Sequence, residues 1–175
     1  FGIHMMTGSN NLEPFYFAEI TDKLMRIAGD VFKRLEIVPE YVDIGGGFGI
    51  PYKNDEVEID MDSVAKLVTE RFLENCGKYS FGRPVLRLEP GRYITGNAGF
   101  LVTKVTGLKE SYKSYIGVDA GMNTLLRPAL YGAFHWIEPL SSTKGRVWKT
   151  TSVCGRICEN SDIFAKDISL PEMET

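Results

Sequence analysis

Apolar positions in the first hundred residues alternate between two rhythms. Residues 1–6 read as a short strand. Ile20, Leu24, Ile27, Val31 and Leu35 follow at spacings of three and four, which predicts an amphipathic helix. Pro14 suits its first turn, where a missing N–H costs little, and Asn11 is the predicted cap. Pro39 ends this segment, and 41–44 reads as a buried strand running into glycines. A polar stretch reaches Asp62; Val64, Leu67, Val68 and Phe72 then mark a second helix, and 84–88 a third strand. Strand–helix–strand–helix–strand is the order of a parallel α/β sheet or barrel, which binds ligands at the carboxyl ends of its strands.

After about residue 98 the rhythm changes. Segments 100–105, 115–118 and 145–153 read as strands with no long helix between them, so this part is expected to be mainly β. The expected division is an α/β part over 1–98 and a β part over 99–175.

Composition narrows the function classes. The chain has 175 residues and a net charge of −3, with its basic residues scattered, so it carries no electrostatic footprint for nucleic acid. No run approaches the ~18 apolar residues of a membrane span, and no signal peptide is visible. Three cysteines without framework spacing point to free thiols in a reducing compartment, hence a cytoplasmic protein. With only His4 and His135 as imidazoles and no knuckle-spaced cysteine pair, no metal site is expected. The opening Phe1-Gly2-Ile3-His4 and the polar close read as a piece of a larger protein.

Four segments carry candidate chemistry. Gly45-Gly46-Gly47 follows a strand, where N–H groups unscreened by any Cβ can converge on an anion; a plain turn is the alternative. Glu89-Pro90-Gly91-Arg92 sets a carboxylate and a guanidinium on one turn, suited to gripping phosphate, or to a surface ion pair. Gly8-Ser9-Asn10 offers a hydroxyl and amide donors at a helix N-terminus, a seat for an anion; simple helix capping is the alternative. Cys158-Glu159 places a thiol beside a carboxylate after a strand, a possible proton shuttle if the environment tunes it; otherwise Cys154 and Cys158 are inert core thiols beside an acidic loop. Together, a glycine nest, Ser and Arg ligands and a carboxylate at strand ends suit a phosphorylated heteroaromatic cofactor.

The ordered motifs Gly2-Ile-His…Gly-Ser9, Asp43-Ile-Gly-Gly-Gly-Phe-Gly49, Glu89-Pro-Gly-Arg92, Val118-Asp-Ala-Gly-Met-Asn123, Arg127-Pro-Ala-Leu-Tyr-Gly132 and Cys158-Glu-Asn-Ser-Asp162 closely resemble the alanine-racemase-like decarboxylases. Cys158-Glu159 with Arg127 to Tyr131 favours their diaminopimelate branch over those acting on ornithine or arginine. The resemblance implies the C-terminal part of a (β/α)8 barrel over 1–98, then part of a β domain. It implies pyridoxal 5'-phosphate held by Ser9, Gly45, Gly46, Gly47, Pro90, Gly91 and Arg92, with Glu89 on the pyridine nitrogen. Arg92, Arg127, Tyr131 and Glu159 would contact an amino-acid substrate, and Cys158 would return a proton after decarboxylation. A homodimer with shared active sites is implied as well.

Two departures from the family pattern follow. The family has His-x-His before Gly-Ser, and here Met6 stands at the second histidine, with His4 at the first. The family's cofactor-bonding lysine lies on an earlier barrel strand, and a tyrosine is expected after the cysteine loop; neither falls within these residues. These 175 residues alone are therefore expected to be inactive, giving no spectral band of lysine-bonded cofactor when titrated with pyridoxal phosphate.

Overall fold

Three short strands, β1 (Gly2–His4), β2 (Tyr41–Asp43) and β3 (Val85–Arg87), pair in parallel and in chain order. Parallel neighbours need a crossover, and helices α1 (Pro14–Leu35) and α2 (Met61–Tyr79) supply the two required. The register sets His4 opposite Asp43 and Asp43 opposite Arg87, so all three strands end level. The computed structural model describes residues 1–80 and 82–175, and these form two compact units, Phe1–Gly99 and Phe100–Thr175.

Helix α1 starts with Pro14 at its first position and ends in left-handed Glu36, whose N–H returns to the Phe32 carbonyl. Lys33 and Arg34 in the last turn complement the helix dipole. The cap differs from expectation. Glu13 holds the N-cap position without a side-chain bond, and Asn11 Oδ1 accepts the Glu13 N–H at 2.8 Å in an Asx turn. The buried face also differs: Phe17, Ile20, Leu24, Met25, Ala28 and Phe32 are buried, whereas Leu35 is 60% exposed. Leu35 lies on the same helix face as Phe17 but in the last turn, whereas Ile27 and Val31, 39% and 38% exposed, stand at one edge of the buried arc.

Helix α2 follows its pattern more closely. Asp60 caps it by accepting the N–H groups of Asp62 and Ser63, both at 3.1 Å. Val64, Val68, Phe72 and Cys76 are buried against α1 and the sheet. Gly29 of α1 lies where a Cβ would collide with the Tyr79 ring, which lets the two helices approach closely. Phe17 and Phe48 stack at 4.1 Å between centroids and close the core below the strand ends. A fully buried Phe or Leu contributes about 1.5–3 kcal/mol, so this cluster dominates the stability of the first unit.

The second unit is a four-stranded sheet in the order β4 (Val105–Glu110), β5 (Ser114–Val118), β6 (Trp148–Cys154), β7 (Ile163–Pro171). Only β5 and β6 run parallel, and the connection between them carries the short helix α4 (Arg127–Tyr131). (The remaining short helix, α3, Gly91–Thr95, belongs to the first unit.) Ile116, Val118, Ala120, Val153 and Leu170 form a small core. Residues 100–104 are not the expected strand; Phe100 is 97% exposed, and the chain is tied by Asp119, which accepts the Lys104 N–H at 2.9 Å. Strand β7, absent from the expected pattern, pairs with β6 through two register shifts.

Candidate functional site

At the carboxyl ends of β1 to β3, the glycine run is the meeting point of three loops. A Cβ on Gly45 would sit 2.5 Å from the Met5 carbonyl oxygen, and one on Gly47 2.6 Å from that of Gly8. A Cβ on Gly46 would collide with the Glu89 carbonyl oxygen. Gly45 and Gly47 also have φ of +75° and +95°, which side chains rarely adopt. Close backbone approach therefore demands glycine here before any ligand is considered.

Two of the N–H groups expected to face an anion already have acceptors. Gly45 donates to Asp43 Oδ1 at 2.9 Å and Gly46 donates to Met6 Sδ at 3.3 Å. A thioether is a weak acceptor, which a phosphate oxygen outcompetes. Met6 thus turns toward the glycine run, a contact that residue type alone does not foretell.

Ser9 and Arg92, 83 positions apart, meet here, with Arg92 Nη2 donating to Ser9 Oγ at 3.0 Å. The other terminal nitrogen, Nη1, is buried and has no hydrogen-bond partner among the described residues. A buried guanidinium nitrogen without an acceptor is costly, and an anion beside Ser9 would relieve that cost. The Arg92 guanidinium also lies 5.8 Å from the Tyr52 ring centroid, a support the motif reading did not include. Asn10, in left-handed conformation, accepts the Ile50 N–H at 3.0 Å and holds the Ser9 loop to the glycine run. Pro90 and Gly91 open α3, and the Gly91 N–H bonds to the Glu89 carbonyl at 2.8 Å.

Glu89 pairs with His4, Nε2 to Oε2 at 3.4 Å, rather than with its turn neighbour Arg92. The ligand-type atoms of His4, Asp43 and Glu89 lie within 4.8 Å of one another, but Asp43 is engaged by Gly45 and the other two side chains are half exposed. This cluster reads as the polar floor of the strand ends.

In the second unit the thiol–acid loop stands after β6. Cys158 is exposed, while Cys154 ends the strand half-buried, with its thiol pushed up by burial and by the nearby Asp162 carboxylate. Glu159 Oε1 accepts the N–H and hydroxyl of Ser161, at 3.2 and 3.3 Å. Arg127 and Tyr131 begin and end α4; Arg127 Nη1 and His135 Nε2 are 3.0 Å apart, and Tyr131 is exposed. The residue that the sequence reading missed is Asp162. It is 3% exposed, and its carboxylate takes one backbone N–H from the loop, that of Ile157, and one from the turn after β5, that of Met122.

Comparison with known proteins extends these observations. A family model described as the pyridoxal-dependent decarboxylase, C-terminal sheet domain, matches residues 15–175. A curated relative named diaminopimelate decarboxylase from Methanothermobacter thermautotrophicus is 44% identical, over 98% of this chain and 40% of its own length. One of the same name from Archaeoglobus fulgidus is 36% identical, over 99% of this chain and 41% of its own. The solved structure of diaminopimelate decarboxylase from M. jannaschii in co-complex with L-lysine superposes with a TM-score of 0.83 at 34% identity, covering 99% of this chain and 39% of that one. The chain thus spans about 40% of the curated relatives it matches.

Proposed function

Because the chain belongs to the pyridoxal-dependent decarboxylases, we propose that the protein containing it converts meso-diaminopimelate to L-lysine and carbon dioxide using pyridoxal 5'-phosphate. The observation that carries this reading is Arg92, with one guanidinium nitrogen on Ser9 and the other buried without an acceptor beside the glycine run. That donor set suits a phosphate monoester.

In this reading the first unit is the C-terminal part of a (β/α)8 barrel. Ser9, Arg92 and the backbone of Gly45, Gly46, Gly47 and Gly91 would hold the phosphate, and Pro90, which has no N–H to donate, would shape the turn beside the cofactor. Glu89 holds the proton on the pyridine nitrogen. When bound, the cofactor supplies an electron-accepting ring for the electron pair left as carbon dioxide departs. Arg127 and Arg92 take substrate carboxylates, Tyr131 hydrogen-bonds the substrate, and Glu159 receives the distal ammonium. Cys158 delivers the proton that replaces the lost carboxylate. The protein works in the cytoplasm as a homodimer, each site completed by the Cys158 loop of a second copy.

Assay of the full-length protein against meso-diaminopimelate, ornithine, arginine, lysine and carboxynorspermidine tests the assignment. Stoichiometric carbon dioxide and lysine from diaminopimelate are expected. Preference for another basic amino acid moves the protein to a sister branch, and no turnover of any substrate identifies a silent homologue.

A further inference from the structure

The loop carrying Cys158 and Glu159 has little apolar burial to hold it, since residues 156–161 are exposed. One residue, Asp162, collects several of its hydrogen bonds. Asp162 Oδ2 accepts the Ile157 N–H at 2.7 Å, inside the loop. Its Oδ1 accepts the Met122 N–H at 2.6 Å, 40 positions away in the turn after β5. The backbone of Asp162 closes the same ring: its carbonyl accepts the Gly155 N–H at 2.9 Å and its N–H donates to the Glu159 carbonyl at 3.1 Å. A Cβ on Gly155 would overlap the Asp162 carboxylate and push it from this position. Arg156 N–H on the Ala120 carbonyl, at 3.2 Å, adds a second tie between the two segments.

We propose that Asp162 is a positioning residue that locks the Cys158–Glu159 loop to the turn leading into α4. A buried carboxylate is costly unless it is fully hydrogen-bonded, and two backbone N–H groups converging on it are the arrangement that makes it tolerable. The lock couples two segments that carry different candidate substrate contacts: Cys158 and Glu159 on one side, Arg127 and Tyr131 on the other. Both bonds require an acceptor on each carboxylate oxygen, so asparagine, with one oxygen and one NH2, keeps the size and loses one anchor. The role assigned to Asp162 rests on the reading of Cys158 as the proton donor; the lock itself is independent of it.

The test uses the full-length protein and three variants, Asp162→Asn, Asp162→Ala and Cys158→Ala. Asp162→Asn is expected to lower kcat about a hundredfold, the scale of an ångström-sized misplacement of a reacting group, and to raise KM as Glu159 shifts with the loop, with pyridoxal phosphate affinity within about threefold of wild type. Alkylation of the half-buried Cys154 by iodoacetamide, followed by peptide mass spectrometry, should quicken at least about threefold as the loop opens and the Asp162 carboxylate beside its thiol loses its charge. A kcat within about twofold of wild type together with unchanged alkylation overturns the proposal. If the variants fail to fold, hydrogen exchange in the wild-type protein decides: the Ile157 and Met122 amides must be protected, and rapid exchange at both overturns the lock. Full activity of Cys158→Ala removes the proton-donor reading alone, while the exchange and alkylation results still judge Asp162.

Discussion

The two units hold their candidate residues in opposite ways. At the strand ends of the first, the positions that matter are fixed by absence of side chains: Gly45, Gly46 and Gly47 let three loops close to within a carbonyl's reach, above a large apolar core. In the second, the core is small, and a charged side chain, Asp162, substitutes for packing by collecting backbone donors. Close-packed backbone tolerates almost no added volume, whereas a hydrogen-bonded loop tolerates volume but not the loss of an acceptor.

That contrast can be broken at several points. The largest effect should come from Phe17→Ala, which removes a ring stacked on Phe48 and wholly buried; a loss of about 4 kcal/mol is expected from urea denaturation. Gly46→Ala should follow, costing about 3 kcal/mol because the added methyl meets the Glu89 backbone rather than a movable side chain. It should also abolish pyridoxal phosphate binding in the full-length protein, measured by fluorescence titration. A stable, cofactor-binding Gly46→Ala variant would contradict the backbone-closure account.

An intermediate effect is expected from acid. The Thr103 hydroxyl, then the Lys104 N–H, hold the Asp119 carboxyl below the usual range. A carboxylate depressed in the folded state contributes stability that is present above its unfolded pKa, about 3.9, and lost as pH falls through the folded value. The urea midpoint of the second unit should therefore drop between about pH 5 and pH 3, and Asp119→Asn should flatten that drop. An unchanged slope would mean that Asp119 is not what ties residues 103–104. The smallest effect belongs to Gly107→Ala on β4. A Cβ there meets nothing within 4 Å, so stability should stay within about 0.5 kcal/mol.

Legibility followed the same divide. The parallel strand–helix alternation and the α2 stripe were readable because a single uninterrupted period governs each. The α1 stripe matches the buried face only at Ile20 and Leu24; Ile27 and Val31 stand at its edge and Leu35 in the last turn, and the burial of Met25, Ala28 and Phe32 depends on where the sheet and α2 lie. Strand β7 was invisible because Asp167, at φ 51°, and two register shifts interrupt the alternation that marks a strand. The meeting of Ser9 with Arg92 could be anticipated only from motifs in known order, since 83 residues separate them. Asp162 looked like one more acid in a polar loop; its burial depends on the turn at Met122, which no local pattern announces.

By itself the chain's residue order determined the strand–helix alternation of the first unit and which residue types stand at its strand ends, since propensity and periodicity act over a few positions. Tertiary structure alone decided which donors meet which acceptors. Arg92 reached Ser9, Met6 took the Gly46 N–H and Asp162 gathered two distant segments because strand register and glycine-permitted closure brought them within about 3 Å.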